Sequence, residues 1–310
     1  MTRLVLVLSA LFIGGCAPSV PEKRASAPTG ESSGDGQQHA LVATVSEDYA
    51  TGALATVRLD DWAVDDTLVD VSGDPAVFFV GGTIYQLDRY LNDTVRTYAP
   101  GEYGAPEHEW ALEEGANPHT VAWCDGLAVV VAYGRDQLTM WDNGLLQGTV
   151  DLSDYADADS IPEVSTAVVG DNGRLYLGAH QFDRDDGWSE AGGLVLEVDC
   201  AARAVTQSWD VPTPDVYANP GQPGTVLVAG RDDGIRTLDV ETGTLSAPVV
   251  APEAIPGTVS AMAAWGDHAV IALFDEDDHY SVHCATLGDG TVELIEARTN
   301  FLTTAVANDR

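Results

Sequence analysis

The sequence predicts an all-β fold built from a repeated four-stranded unit, and three observations support this prediction. From Leu41 onward, short apolar strands alternate with turns, and no stretch keeps a 3.6-residue apolar period for ten residues. The apolar share of 45% is large enough for a packed core. The starts of the predicted innermost strands recur near residues 76, 118, 165, 215, 258 and 300, at intervals of 42, 47, 50, 43 and 42. Periods of this length with about four strands each are typical of the blades of a β-propeller.

The first element is a predicted export signal over residues 1–15. Arg3 supplies a positive charge, and the apolar run over residues 4–13 is too short to span a bilayer. Residues 13–16 (Ile-Gly-Gly-Cys) resemble a bacterial lipobox. The resemblance implies that the signal is cut before Cys16 and that this cysteine is acylated, so that a lipid anchor makes the membrane a partner. A plain secretory signal with an incidental cysteine is the alternative.

The second element is a predicted tether over residues 16–40. Ala17, after the cysteine, resembles an outer-membrane sorting signal, so we expect an exported protein anchored in the bacterial cell envelope, at the outer membrane. The segment is rich in Pro, Ser, Gly, Glu and Gln and contains almost nothing apolar, which is typical of a flexible linker. The propeller domain is predicted over residues 41–310.

Within that domain, the repeats predict the blades but leave open how the ring closes. Segments 122–133 and 264–274 are alike, and their tryptophans, at 123 and 265, are expected in core or inter-blade packing. We predict a seven-bladed design with an incomplete last blade; the alternative is a closed six-bladed ring in which strand 301–307 completes the first blade. With Cys16 set aside for lipid, an odd number of cysteines remains, and the pairing among Cys124, Cys200 and Cys284 is left open.

Several strands resemble a known group of propellers. Segments 85–98 and 130–142, and the tripeptide Asn117-Pro118-His119, are similar to the Tyr-Val-Thr-Asn repeats of YncE-like propeller lipoproteins, and the resemblance covers most of residues 41–310. It implies the fold strongly and a function weakly. Some surface lipoproteins with YncE-like repeats capture cobalamin, so the resemblance implies a corrinoid as one candidate ligand.

The charge and the missing motifs exclude some classes of function. The chain has 14 Lys and Arg against 49 Asp and Glu, a formal net charge of −35, so it cannot neutralise phosphates and nucleic-acid binding is not expected. It contains no Cys-x-x-Cys, His-Glu-x-x-His, dinucleotide-binding glycine or Walker pattern. These motifs predict no cofactor, but a quinone or a channel metal in a propeller would have ligands scattered across blades and would leave no motif.

A candidate ligand site lies on one face of the predicted ring. The loops that lead into each innermost strand and the turns between second and third strands share this face, which we call the upper face. Three arginines occupy equivalent turns, and arginine suits bidentate capture of a carboxylate or phosphate. In the alternative, each arginine pairs with its neighbouring acid: Asp88, Asp136 or Asp232. The candidate ligand-binding residues of the upper face are Arg89, Asn117, His119, Arg135, Glu163, His180 and Arg231.

Two acidic runs are weak candidates for calcium. The first contains Asp157 and Asp159, and the second contains Asp183 and Asp185. Calcium prefers six to eight oxygen ligands from a bent loop, but neither run has EF-hand spacing. On so acidic a chain, such runs are more often solvated surface.

These observations leave two classes of function. The first is a non-enzymatic propeller of the cell envelope that captures a small ligand, or docks a partner, on the upper face. The alternative is a propeller enzyme, such as a calcium-dependent lactonase or a quinone-dependent dehydrogenase. The sequence shows no compact acid–base pair or metal-ligand cluster, and this favours binding.

Overall fold

The computed structural model describes residues 39–46, 48–230, 232–274 and 279–297, and it confirms an all-β propeller of antiparallel blades. Cys16, the predicted signal and almost all of the tether lie outside the described residues. The described residues form six blades, which we number I to VI along the chain. Among them, no helix is long and apolar enough to cross a membrane.

Each blade is a meander in which successive strands pair as antiparallel neighbours. Blade I has three described strands, β1 (His39–Val45), β2 (Gly52–Arg58) and β3 (Val64–Val71). Blade II contains β4 (Pro75–Val80), β5 (Thr83–Asp88), β6 (Thr94–Tyr98) and β7 (His108–Ala111). Blade III contains β8 (Pro118–Cys124), β9 (Leu127–Ala132), β10 (Gln137–Asp142) and β11 (Leu145–Asp151).

The next three blades follow the same plan, with one insertion in blade IV. Its strands are β12 (Val164–Val169), β13 (Leu175–Ala179), the inserted hairpin β14 (Phe182–Asp183) and β15 (Ser189–Glu190), then β16 (Leu194–Asp199) and β17 (Ala204–Asp210). Blade V contains β18 (Asp215–Ala218), β19 (Thr225–Gly230), β20 (Gly234–Asp239) and β21 (Thr244–Leu245). Blade VI contains β22 (Thr258–Trp265), β23 (His268–Phe274), β24 (Tyr280–Thr286) and β25 (Val292–Ala297).

The predicted period is confirmed at five positions. The innermost strands of blades II to VI begin at Pro75, Pro118, Val164, Asp215 and Thr258, each within one residue of its predicted start. The sixth predicted start, near residue 300, and strand 301–307 lie outside the described residues. Six described blades agree with the six-bladed alternative, and an incomplete seventh blade stays a prediction.

The core lies between neighbouring blades, because the alternation of side chains along each strand gives every sheet two buried faces. In β13, Leu175 and Leu177 pack against blade III, whereas Tyr176 between them packs against blade V. At another blade contact, the ring of Trp123 lies against Gly81 in the turn between β4 and β5. A Cβ atom at Gly81 would lie 2.4 Å from that ring, and its φ of 59° also favours glycine. Trp123 therefore packs at the contact between blades II and III, as expected, but it is not a core residue, since 38% of it is exposed.

A disulfide fastens blade III to blade IV. It joins Cys124, at the end of β8, to Cys200, after β16, across 76 residues of sequence. Both cysteines are buried in the core between these two blades. Of the pairings that the sequence left open, this one is formed.

Candidate functional site

Aromatic rings from blades III and IV converge on the upper face. His119 lies near the start of β8 and stacks on Tyr133, which follows β9, with ring centroids 4.5 Å apart and planes inclined by 19°. His180, after β13, meets the Tyr133 ring edge-on at 6.1 Å, and Phe182 meets His180 edge-on at 5.6 Å. We call these four residues the aromatic basin. Its members are separated by up to 63 residues of sequence, and the curvature of the ring brings them together.

A polar network lies beside the aromatic basin and adds blade V to the site. Ser165 in β12 donates a hydrogen bond from Oγ to Asp215 Oδ1 at 2.6 Å, and its Oγ lies 2.8 Å from His180 Nε2. His180 Nε2 also lies 3.1 Å from Asp215 Oδ1. Thr166 Oγ1 donates to the same carboxylate at 3.3 Å and accepts the Val216 N–H at 2.8 Å. The Asp215 carboxylate is therefore held by neighbouring donors at the start of β18.

This Ser165–His180–Asp215 cluster does not have the geometry of a catalytic triad. In a triad, one imidazole nitrogen accepts the serine proton while the other donates to the carboxylate. Here the same nitrogen, Nε2, faces both Ser165 and Asp215, and the serine gives its single proton to the carboxylate. The arrangement therefore does not form the relay that activates a serine nucleophile.

A buried ion pair holds the β14–β15 hairpin onto the site. Arg184 Nε lies 2.8 Å from Oε1 of Glu163, whose side chain is fully buried, and 3.7 Å from Asp159 Oδ2. The guanidinium also donates to the carbonyl oxygen of Tyr133 at 3.0 Å. It lies over two rings, 5.0 Å from the centroid of Trp188 and 5.9 Å from that of Tyr133. Arg184 thus links the hairpin, the aromatic basin and the acidic segment before β12.

Burial shifts the pKa values of three groups at the site. Desolvation raises the pKa of Glu163 to about 7, and the positive charge of Arg184 limits the rise. Desolvation lowers the pKa of His119 to about 3, with a further lowering by the charge of Arg89. Burial also raises the pKa of Tyr133, with a contribution from the charge of Glu163. At neutral pH, His119 and Tyr133 are therefore uncharged, and Glu163 lies near its midpoint of titration.

The first acidic run does form a compact cluster. The ligand atoms of Asp157, Asp159 and Glu163 lie within 4.8 Å of one another, and Asp157 Oδ2 is buried with no hydrogen-bond partner among the described residues. Three carboxylates are a suitable start for a hard cation such as Ca²⁺. Arg184, however, already serves as counter-ion to two of the three. Calcium at this position stays a prediction.

The second acidic run has a local structural role. Asp183 Oδ1 accepts the backbone N–H groups of Asp185 and Asp186, at 2.9 and 3.1 Å, within the turn of the inserted hairpin. Among the described residues, Asp183 and Asp185 do not belong to a cluster with metal-binding geometry.

The described arginines of the predicted anion site are each bound to a separate acid. Arg89 Nε lies 3.1 Å from Asp74 Oδ1, and Arg135 Nε lies 3.3 Å from Glu113 Oε2. These partners differ from the sequence neighbours Asp88 and Asp136 that the alternative pointed to. Arg135 also donates to the carbonyl oxygens of Glu114 and Gly134. Arg231 lies outside the described residues, so convergence of all three arginines stays a prediction.

Strained backbone accumulates around the aromatic basin. Asn117, Glu163, Gln181 and Thr213 have φ angles of 48°, 44°, 51° and 42°, in the left-handed region that residues other than glycine seldom adopt. All four lie in upper-face loops, beside His119, Ser165, His180 and Asp215. Asn117 is fixed there because its N–H donates to Asp93 Oδ1 at 2.6 Å. Such strain is found preferentially at functional sites, where the surrounding structure enforces it.

Sequence reasoning placed His119, Glu163 and His180 at this face but did not select Ser165, Asp215 or Arg184. Asp215 did have a signal, since it is the first residue of a predicted innermost strand. Arg184 had none in the repeat pattern, because the inserted hairpin has no counterpart in the other blades.

The comparisons with known proteins show the fold. No protein-family model matches the chain, and no curated protein matches it. Among solved structures, the chain is similar to a chain of the mitotic checkpoint complex, with 13% identity over 94% of this chain and 92% of that chain and a TM-score of 0.57. It is also similar to a catalytically inactive virginiamycin B lyase from Staphylococcus aureus, solved with quinupristin, with 9% identity over 83% and 88% of the two chains and a TM-score of 0.54. At these identities the likeness shows the β-propeller fold alone.

Proposed function

We propose that the protein is a non-enzymatic binding propeller of the cell envelope, which captures a small ligand in the aromatic basin. The observation that supports this most is the meeting of four aromatic rings with the Ser165–Asp215 polar network. Ligand sites commonly combine apolar and aromatic walls with a few convergent polar groups. Here the walls come from blades III and IV, and Asp215 comes from blade V.

The chemistry of the polar groups favours binding over catalysis. Ser165 donates to Asp215, and a single nitrogen of His180 faces both groups, so the serine–imidazole–carboxylate relay that activates a nucleophile is not formed. Glu163 has a pKa near neutrality, but its carboxylate is held by Arg184 and by the Phe182 N–H at 3.1 Å. A general acid or base must reach the proton it transfers, and these contacts use Glu163 to fix the hairpin.

The proposed place of action is the outer membrane, through a lipid on Cys16. The support is the lipobox-like segment over residues 13–16 and the polar tether that follows it. A Cys16→Ala variant should move from the detergent-extracted membrane fraction to the soluble fraction. Continued membrane association of the variant would contradict the anchor.

The ligand can be sought on the protein purified from its native host. We expect native mass spectrometry to find a bound small molecule, which a Tyr133→Ala variant loses because the basin loses its central ring. Tyr90→Ala is the matched control, since Tyr90 is 64% exposed in another upper-face turn. It should keep the ligand.

Two further measurements on the same sample distinguish the rival functions. A visible absorbance spectrum would identify a corrinoid, whereas a quinone chromophore or stoichiometric calcium on elemental analysis would favour the propeller enzyme. Loss of the ligand from Tyr90→Ala and not from Tyr133→Ala would place the site elsewhere.

A further inference from the structure

We propose that the aromatic basin takes an organic cation, with an ammonium group against Asp215 and an apolar body against the rings. This inference rests on the proposed ligand capture and names the class of ligand. It is supported by the charges around the basin, by the rings, and by a buried phenol beside Asp215.

The described cations of the site are already neutralised. Arg89 is bound to Asp74, Arg135 to Glu113, and Arg184 to Glu163. His119 is neutral at physiological pH because desolvation lowers its pKa to about 3. Among the described residues, no guanidinium contacts Asp215.

Asp215 therefore has no guanidinium partner among the described residues, and the imidazole of His180 is its neighbouring ring. Among the described residues, Asp215 contacts the hydroxyls of Ser165 and Thr166 and the His180 imidazole, and its side chain is 14% exposed. The carboxylate is thus oriented by its neighbours and remains partly exposed. A partly desolvated carboxylate is stabilised by a cation at hydrogen-bond distance.

The rings of this region already accept a cation from the chain itself. The Arg184 guanidinium lies over Trp188 and Tyr133, at 5.0 and 5.9 Å from their centroids. Electron-rich ring faces attract positive charge, so the surroundings of the basin favour a cationic group over an anionic one.

A buried phenol lies next to Asp215. Burial, the charge of Asp215 and a hydrogen bond to that carboxylate raise the pKa of the Tyr217 hydroxyl well above its usual value, so the phenol keeps its proton and Asp215 is the acceptor beside it. The phenol oxygen still has lone pairs, so an ammonium group can donate one N–H to Tyr217 and a second to Asp215.

The charge of the whole chain acts in the same direction. A formal net charge of −35 raises the local concentration of cations around the molecule and lowers that of anions. Salt screens this effect beyond about 8 Å at physiological ionic strength, so it assists encounter, and the contacts at Asp215 determine affinity.

The test uses three probes with the same benzyl body and different charge: benzylammonium, benzyl alcohol and phenylacetate. Isothermal titration calorimetry at neutral pH on the full chain in detergent measures each dissociation constant. We expect benzylammonium to bind at least about tenfold more tightly than the other two, the scale of one hydrogen bond to a charged group. Asp215→Asn should abolish that preference, and Glu293→Gln, an exposed acid on β25, should change it less than twofold.

Asp215 also orients Thr166, so circular dichroism must first show that the Asp215→Asn variant folds. A second readout avoids this requirement because it needs no variant. Raising NaCl from about 0.05 to 0.5 M should weaken the binding of benzylammonium and leave benzyl alcohol unchanged, because only the former is held by charge. Equal effects on both probes would contradict the role of Asp215.

The remaining outcomes separate this inference from the proposed function. Equal affinity for all three probes, lost in Tyr133→Ala, would keep ligand capture and overturn the cation preference. Tighter binding of phenylacetate would also overturn the cation preference and would favour Arg231 as the group that binds an anion. If no probe binds and Tyr133→Ala releases no native ligand, ligand capture in the basin is itself wrong.

Discussion

Removal of the Cys124–Cys200 disulfide should destabilise the propeller by an amount that the length of the closed loop sets. The bond spans 76 residues, and a loop of that size constrains the unfolded chain by about 15 cal/mol/K, or about 4.5 kcal/mol at 25 °C. The entropy of unfolding is about 2.1 cal/mol/K per residue, or about 0.57 kcal/mol/K for a domain of roughly 270 residues. Dividing the lost stability by this entropy gives a fall in melting temperature of about 8 °C.

The assay is urea unfolding at 25 °C, followed by tryptophan fluorescence, together with calorimetry for the melting temperature. It compares the wild type with Cys124→Ala, Cys200→Ala and the double variant. Either single change breaks the bond, so each should cost nearly as much as both together. If the two single costs add in the double variant, or if the double variant loses less than about 1 kcal/mol, the cysteines act through packing and the cross-link reasoning is refuted.

Three further predictions concern the charged groups of the upper face. The pKa of Glu163 is about 7 in the folded state and near 4.5 in the unfolded state, so the folded state holds an extra proton between these pH values. The free energy of unfolding should therefore fall by about 3 kcal/mol as the pH rises from 4.5 through 7. Urea midpoints measured across that range should show this slope, and Glu163→Gln should flatten it. Arg184→Met leaves Glu163 buried without its counter-ion, so the free energy of unfolding in urea at pH 8 should fall by about 2–3 kcal/mol. Adding Glu163→Gln to the same chain should restore part of this stability, and no recovery would contradict the ion pair. Arg135→Lys should change stability by about 0–1 kcal/mol, since Glu113 is 77% exposed, and should leave calorimetric binding of phenylacetate unchanged; a marked loss of binding would revive the anion site.

The blades could be predicted from sequence because their signals are local. Alternating apolar residues and short turns recur within a few residues, and they placed the start of β18 at Asp215. The contact between Ser165 and Asp215 could not be predicted in this way. It joins residues 50 positions apart on different blades, and it depends on how closely two innermost strands approach at the ring's inner edge.

The arginine partners show a second reason. Proximity in sequence pointed from Arg89 to Asp88, but successive residues of an extended chain point in opposite directions. Asp88 therefore turns inward, where Arg96 Nη1 lies 2.5 Å from its Oδ2. Arg89 turns to Asp74, which precedes β4. Only the pairing of β4 with β5 makes these two residues neighbours.

The inserted hairpin of blade IV makes one wall of the basin exchangeable. Strand β13 pairs directly with β16, so the ladder of blade IV does not depend on β14 and β15, and a loop of different length could replace them without interrupting the sheet. The exchange has one electrostatic condition, because Glu163 would lose the counter-ion that Arg184 supplies from the hairpin. Homologues or designed variants with a different hairpin should therefore carry either another cation at that place or a neutral residue at position 163.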